Sequence, residues 1–237
     1  MTIDKFIEEL KKINIVLTDD QLEKFKKYAD FLLEYNKTTN LTAIRDIEGV
    51  YLKHFYDSLL VFNNDIIDYS KVNNLIDVGT GAGFPGIVIK IIQPHINVTL
   101  LDSNNKKTTF LKELVKVLDL DNVIVVNDRA ENFVNENRQK FDISIARAVS
   151  ELRVIAELCL PLTKINGYFV ALKGSYVSEI KQASIAIEKL NSEIVSIQER
   201  QLPIENSYRS IIYIRNNKKI DDIYPRRYEQ IIKKALK

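Results

Sequence analysis

The first 70 residues carry apolar positions at helical spacing. The start, Met1-Thr2-Ile3-Asp4-Lys5, is polar and helical in pattern. Thr18, with Gln21 three residues on, forms a capping box that opens a helix. Leu22, Phe25, Ala29 and Leu32 then form its stripe through about Asn36. A second stripe, with Val50, Leu52, Phe55, Leu59 and Leu60, predicts a helix over 46–62. Between the two lies the irregular segment 40–46. From Asn73 the pattern changes to short apolar runs alternating with amphipathic stretches. Strands are predicted at 75–78, 97–102, 123–126, 141–145 and 168–172, with helices at 106–118, 151–162 and from Lys173-Gly174 to about Leu190. A further helix follows the first strand until Pro94, and Pro85 suits its first turn. Two late strands, 194–199 and 211–215, have only a turn region between them, which predicts an antiparallel hairpin. Alternating strands and helices define an α/β fold, a mostly parallel sheet with helices on both faces. The division expected is a helical extension over 1–70, a sheet domain over 71–217 and a basic tail over 218–237.

The candidate chemistry sits at the end of the first strand, in Asp77-Val78-Gly79-Thr80-Gly81-Ala82-Gly83-Phe84-Pro85-Gly86. Glycines there admit positive φ and let a ligand approach the backbone. The helix that follows points free N–H groups at that ligand. Asp102 ends the second strand, about 20 residues on, where a carboxylate accepts hydrogen bonds from ribose hydroxyls. Loop and acid together predict an adenosine-containing cofactor. The match to G-x-G-x-x-G admits a nicotinamide dinucleotide. Three features argue against it: the glycines begin already at Gly79, Asp77 would repel a pyrophosphate, and the sheet ends in a hairpin. The spacing instead resembles motif I of seven-stranded S-adenosylmethionine-dependent methyltransferases.

The likeness extends from about residue 35 to 175. The glycine motif, followed by Leu100-Leu101-Asp102-Ser103, resembles the ribosomal RNA small-subunit methyltransferase G family, also called the glucose-inhibited division protein B family. Further matches are the segment 40–46, His54-Phe55-Tyr56-Asp57-Ser58, Ile145-Ala146-Arg147-Ala148 and Ala171-Leu172-Lys173-Gly174. Tyr224-Pro225-Arg226-Arg227 is similar to a basic ending found in part of that family. The resemblance implies a Rossmann-like seven-stranded class I methyltransferase fold. It implies methylation by S-adenosyl-L-methionine of N7 of a guanine in the 530-loop region of 16S ribosomal RNA, presented as RNA or small ribosomal subunit. By motif match, Gly79, Gly81, Gly83 and Phe84 line the cofactor loop and Asp102 holds the ribose. Ala130 and Glu131 flank the adenine. Arg147 lies between cofactor and substrate and positions them, with Lys173 in a similar place. Asn40, Arg45, His54, Lys173, Arg226 and Arg227 are the candidate RNA contacts.

N7 of guanine has a lone pair and no proton, so the enzyme has to orient two reactants and needs no general base. The sequence accords with this. It has no Asn-Pro-Pro-Tyr tetrapeptide after the fourth strand and no Pro-Cys nucleophile. Its single cysteine, Cys159, lies in an apolar helix. His54 and Asp57 are three apart and face one side of a helix, either as an acid–base pair or as surface partners. A small-molecule methyltransferase is the alternative enzyme reading.

Composition adds limits. The chain has 237 residues, 46% hydrophobic and 28% charged, and a net charge of +2. That profile suits a globular protein and excludes disorder. No apolar run reaches the roughly 20 residues of a membrane span. One cysteine allows neither a disulfide framework nor a cysteine-based zinc site. A cytoplasmic monomer without membrane or metal partners is expected. Charge is uneven, since basic residues outnumber acidic ones from Asn217 onward, as in a phosphate-binding arm.

Overall fold

The computed structural model describes residues 1–147 and 150–236; Ala148, the last residue of one quoted motif, lies outside the described residues, as do Val149 and Lys237. Seven strands, β1 (Asn74–Val78), β2 (Asn97–Asp102), β3 (Val123–Asn127), β4 (Phe141–Arg147), β5 (Thr163–Lys173), β6 (Ser192–Gln201) and β7 (Tyr208–Asn216), form one sheet in the order β3-β2-β1-β4-β5-β7-β6. The first five strands are parallel, and β7 runs antiparallel between β5 and β6. The expected hairpin is therefore present, with its second strand inserted in the sheet. The chain leaves β1 toward β2 on one side, and β4 flanks it on the other. Between β1 and β4 the strand order reverses, so their carboxyl ends frame a crevice.

Alternation along the strands divides the core. Leu75, Leu100, Ile143, Val170 and Tyr213 face the N-terminal helices, while Ile76, Leu101, Phe169 and Ile212 face the opposite layer. Helices Ile3–Lys12 and Asp19–Thr39 cover the first face with a run of aromatic rings. Phe6 packs on Phe25 and Tyr51, and Tyr28 stacks on Phe84 with centroids 5.1 Å apart. The Thr18–Gln21 capping box is formed as predicted. The second face is covered by helices Leu152–Cys159 and Ile180–Lys189, with Cys159 fully buried among apolar side chains.

The segment 47–62 is not the single helix its periodicity predicts. A short α-turn gives way to a π-helix over Val50–Tyr56, then to α and 3-10 turns. The Asp57 amide donates to Leu52 O and His54 O, and so passes over Lys53 O. Such local widening is typical of functional positions. The helix expected directly after Gly174 starts only at Ile180. Tyr176 O accepts the amides of Glu179 and Ile180 in a preceding turn. Two short helices are not foreseen by the sequence pattern: Ala130–Asn137 after β3, and Tyr228–Lys233 at the end. No described helix is long and apolar enough to cross a membrane.

Candidate functional site

A cavity of about 740 Å³ opens at the carboxyl ends of β1, β2, β4 and β5. Its floor is the loop after β1. Gly79, Gly81 and Gly83 all have positive φ, 71°, 63° and 100°. The Gly79 and Thr80 amides donate to Leu101 O at 2.8 and 3.1 Å, which ties the loop to β2. A Cβ on Gly83 would come within 2.7 Å of Tyr28 Oη and 2.8 Å of Ile87 Cγ1, so this glycine permits close packing beneath the loop. A Cβ on Gly81 would find nothing nearer than Gly79 O at 4.0 Å, so this glycine faces the cavity.

Asp77 braces the loop from inside. It is fully buried, and its Oδ2 accepts from Thr80 Oγ1 at 2.7 Å and from the Gly86 amide at 2.8 Å. Its Oδ1 has no partner among the described residues. Burial raises the carboxyl pKa to about 6, against these hydrogen bonds. Asp102 forms the wall at the end of β2. Its oxygens accept from the Gly81 amide at 3.0 Å and the Asn104 amide at 2.9 Å. A carboxylate offers about four lone-pair sites, so capacity remains for two hydroxyls. The open glycine face and the partly free Asp102 carboxylate, both on the cavity wall, fit an adenosyl cofactor.

Across the cavity, β4 delivers Arg147 to a polar cluster. Its Nη1 donates to Lys53 O at 2.9 Å and to Asp57 Oδ2 at 3.1 Å, and its Nη2 lies 3.1 Å from His54 Nδ1. The carbonyl it uses is the one released by the π-helix. The guanidinium also sits over the Phe84 ring, 5.1 Å from the centroid. His54 stacks on that ring at 4.3 Å, and its Nε2 meets Thr42 Oγ1 at 2.8 Å. Burial, together with the Arg147 charge, pushes the His54 pKa down to about 3. The second Asp57 oxygen accepts from Arg209 Nε at 2.9 Å.

The sequence candidates therefore fall into two groups. Gly79, Gly81, Phe84, Asp102, Ala130, Glu131, His54, Arg147 and Lys173 all line the cavity. Lys173 is held there by Glu179 and by Ser150 O, at 2.5 and 2.9 Å. Gly83 lies beneath the loop. Asn40 and Arg45 lie beside the cavity, where Arg45 Nη2 donates to Asn40 Oδ1 at 2.7 Å. Arg226 is engaged by Glu157 away from the opening, and Arg227 is exposed beside it. His54 and Asp57 do lie together, but both engage Arg147 and not each other. Lys53, Arg129, Arg209 and Tyr228 line the cavity without having been singled out. Arg209 opens an apolar strand and Tyr228 lies in a charged tail, and neither setting signals a site.

The seven-stranded order, with β7 reversed and a glycine loop at the end of β1, defines a class I S-adenosylmethionine-dependent methyltransferase fold. A solved S-adenosylmethionine-dependent methyltransferase from Aquifex aeolicus shares it, with a TM-score of 0.54 and 18% identity over 74% of this chain and 96% of that one. So does M. jannaschii TYW2, solved in complex with AdoMet, with a TM-score of 0.52 and 14% identity over 85% and 78% of the two chains. A family profile described as rRNA small subunit methyltransferase G matches residues 21–208. Curated proteins named ribosomal RNA small subunit methyltransferase G are 46% identical. The one from Desulforamulus reducens aligns over 92% of this chain and 91% of its own length, and the one from Bacillus subtilis (strain 168) over 96% and 95%. The chain belongs to the rRNA small subunit methyltransferase G family.

Proposed function

We propose that the protein transfers the methyl group of S-adenosyl-L-methionine to N7 of a guanine in the 530-loop region of 16S ribosomal RNA, in the cytoplasm. The observation that carries this reading is that the polar groups beside the glycine loop are already committed. His54 has Arg147 at one nitrogen and Thr42 at the other, and Asp57 is shared by two arginines. This cluster offers no ready proton acceptor. That suits a substrate atom that carries no proton.

Bound S-adenosylmethionine supplies an electrophilic methyl group on a sulfonium. The chain's own part is binding and alignment. Gly79 and Gly81 leave room for the cofactor against the backbone, and Asp102 accepts its ribose hydroxyls. Ala130 and Glu131 bound the adenine end. Arg147 is fixed at both ends of its guanidinium, so it presents a rigid cation between the cofactor loop and the opening. Holding reactants in register is the main contribution open to such an enzyme. Lys53, Lys173 and Arg209 line the cavity, each paired with a carboxylate (Glu205, Glu179 and Asp57), and their remaining N–H donors are the groups offered to an RNA backbone. Asn40 and Arg45 extend this set beside the cavity.

The test is the mass of 16S ribosomal RNA fragments from cells with and without the gene. The 530-loop fragment should lose the mass of one methyl group when the gene is absent. An unchanged fragment would overturn the assignment of site.

A further inference from the structure

The chain after β7 is bound down far more firmly than a solvated tail. Arg226 forks onto Glu157, Nε to Oε1 at 2.8 Å and Nη2 to Oε2 at 2.6 Å, and its amide adds a third bond to Oε1 at 3.0 Å. Glu157 is 1% exposed, so this is a bidentate, largely desolvated pair. Arg226 Nη1 also donates to Lys234 O at 2.9 Å, which closes the tail on itself. Arg153 donates to Ile231 O at 2.9 Å, and Arg138 to Asp222 O at 3.0 Å and to Tyr224 O. Three arginines thus fasten one short strap.

The strap has a definite address. Glu157 lies on helix Leu152–Cys159, whose Ile155 and Leu158 line the cavity. The strap brings Tyr228 into the same wall, with its ring 6.0 Å from the Arg129 guanidinium. Arg129 directly precedes Ala130 and Glu131. The strap lies beyond residue 208, where the family profile ends.

We infer that Tyr228 is a cofactor-binding residue: its ring forms the outer wall of the adenine pocket, and the Arg226–Glu157 pair positions it. The inference rests on the reading that this cavity takes S-adenosylmethionine. An aromatic face is a natural partner for a purine base. The strap therefore does for the adenine what the glycine loop does for the other end of the cofactor.

The test is calorimetric titration of the full-length protein with S-adenosylhomocysteine. Tyr228→Ala should weaken binding by about tenfold, the equivalent of 1.4 kcal/mol. Tyr228→Phe should stay within about twofold of the parent. Arg226→Ala should reproduce the loss by releasing the strap, and should raise KM for S-adenosylmethionine with little change in kcat. Should Tyr228→Ala fail to fold, Tyr228→Leu keeps the apolar bulk and carries the same expected loss. Parent-like affinity in folded Tyr228→Ala or Tyr228→Leu would overturn the inference. A parent protein that does not bind S-adenosylhomocysteine would instead overturn the cofactor reading beneath it.

Discussion

Asp57 and Arg147, ninety positions apart, meet at 3.1 Å beside the Phe84 ring. The same carboxylate holds Arg209 at 2.9 Å. One acid directly after the π-helix thus ties β4 and β7 together at the cavity. Asp57→Ala leaves two arginines without their shared anion. A loss of about 2–3 kcal/mol of stability is expected from a partly buried pair of this kind. Methyl transfer should fall by about tenfold or more, as it should for Arg147→Ala in a folded protein. Urea unfolding and single-turnover assays check both, and a fully active Asp57→Ala would show that Arg147 needs no anchor.

His54 gives a pH signature. Its pKa is about 3 in the folded protein against an ordinary 6.5, so between those values the unfolded state binds more protons. Its contribution to stability is whole above pH 6.5 and is lost as pH falls toward 3, by up to about 1.4 kcal/mol per unit. His54→Gln lacks this loss. The stability gap between parent and variant should therefore narrow from pH 7 to pH 4. Asp77 has the opposite sign, since its pKa is raised and protonation below about 6 favours the folded state. It is present in both proteins and cancels from the difference. Denaturant titrations across this range would show the narrowing; a constant gap would mean that His54 is not held neutral by its surroundings.

Two glycines of one loop should fail differently. Gly83→Ala forces a Cβ against Tyr28 and Ile87 in a left-handed conformation, and about 3 kcal/mol or more of stability should go. Gly81→Ala meets open space, so only the backbone cost of about 1–2 kcal/mol applies to folding. Its methyl group projects into the cavity, so binding of S-adenosylhomocysteine should weaken. Thermal unfolding and calorimetry on the pair separate the two effects.

Asp102→Ala removes the acceptor proposed for the ribose together with the bond that holds the Gly81 amide. Cofactor affinity should drop by about tenfold or more. Unchanged affinity by calorimetry would defeat the ribose assignment.

The sequence disclosed the parts of this protein that are local. The glycine loop, the acid ending β2 and the terminal hairpin each announce themselves within a few residues, because positive φ, strand alternation and tight turns are short-range demands. His54, Asp57 and Arg147 could each be picked out singly. Their junction could not, because it depends on the register of β4 against a segment far earlier in the chain. The π-helix was also hidden: its apolar stripe is the one an α-helix would carry, and the difference lies in the backbone bonds, as at the diverted Asp57 amide. Arg209 and Tyr228 were missed because an arginine entering an apolar strand and a tyrosine in a charged tail look like ordinary surface residues. The helix expected after Gly174 began late because its first turn is replaced by a loop whose Glu179 reaches across to the Leu152 amide and to Lys173.

The most direct test of the central claim is a methyl-transfer reaction with purified protein and labelled S-adenosylmethionine. Its substrate is 16S ribosomal RNA or small subunits from cells that lack the gene, and the RNA is digested to nucleosides afterwards. A single labelled product is expected, 7-methylguanosine, mapping to the 530 loop. Label on another nucleoside, or no RNA label while S-adenosylhomocysteine still binds, would contradict the claim, and the latter would put a small-molecule substrate in its place.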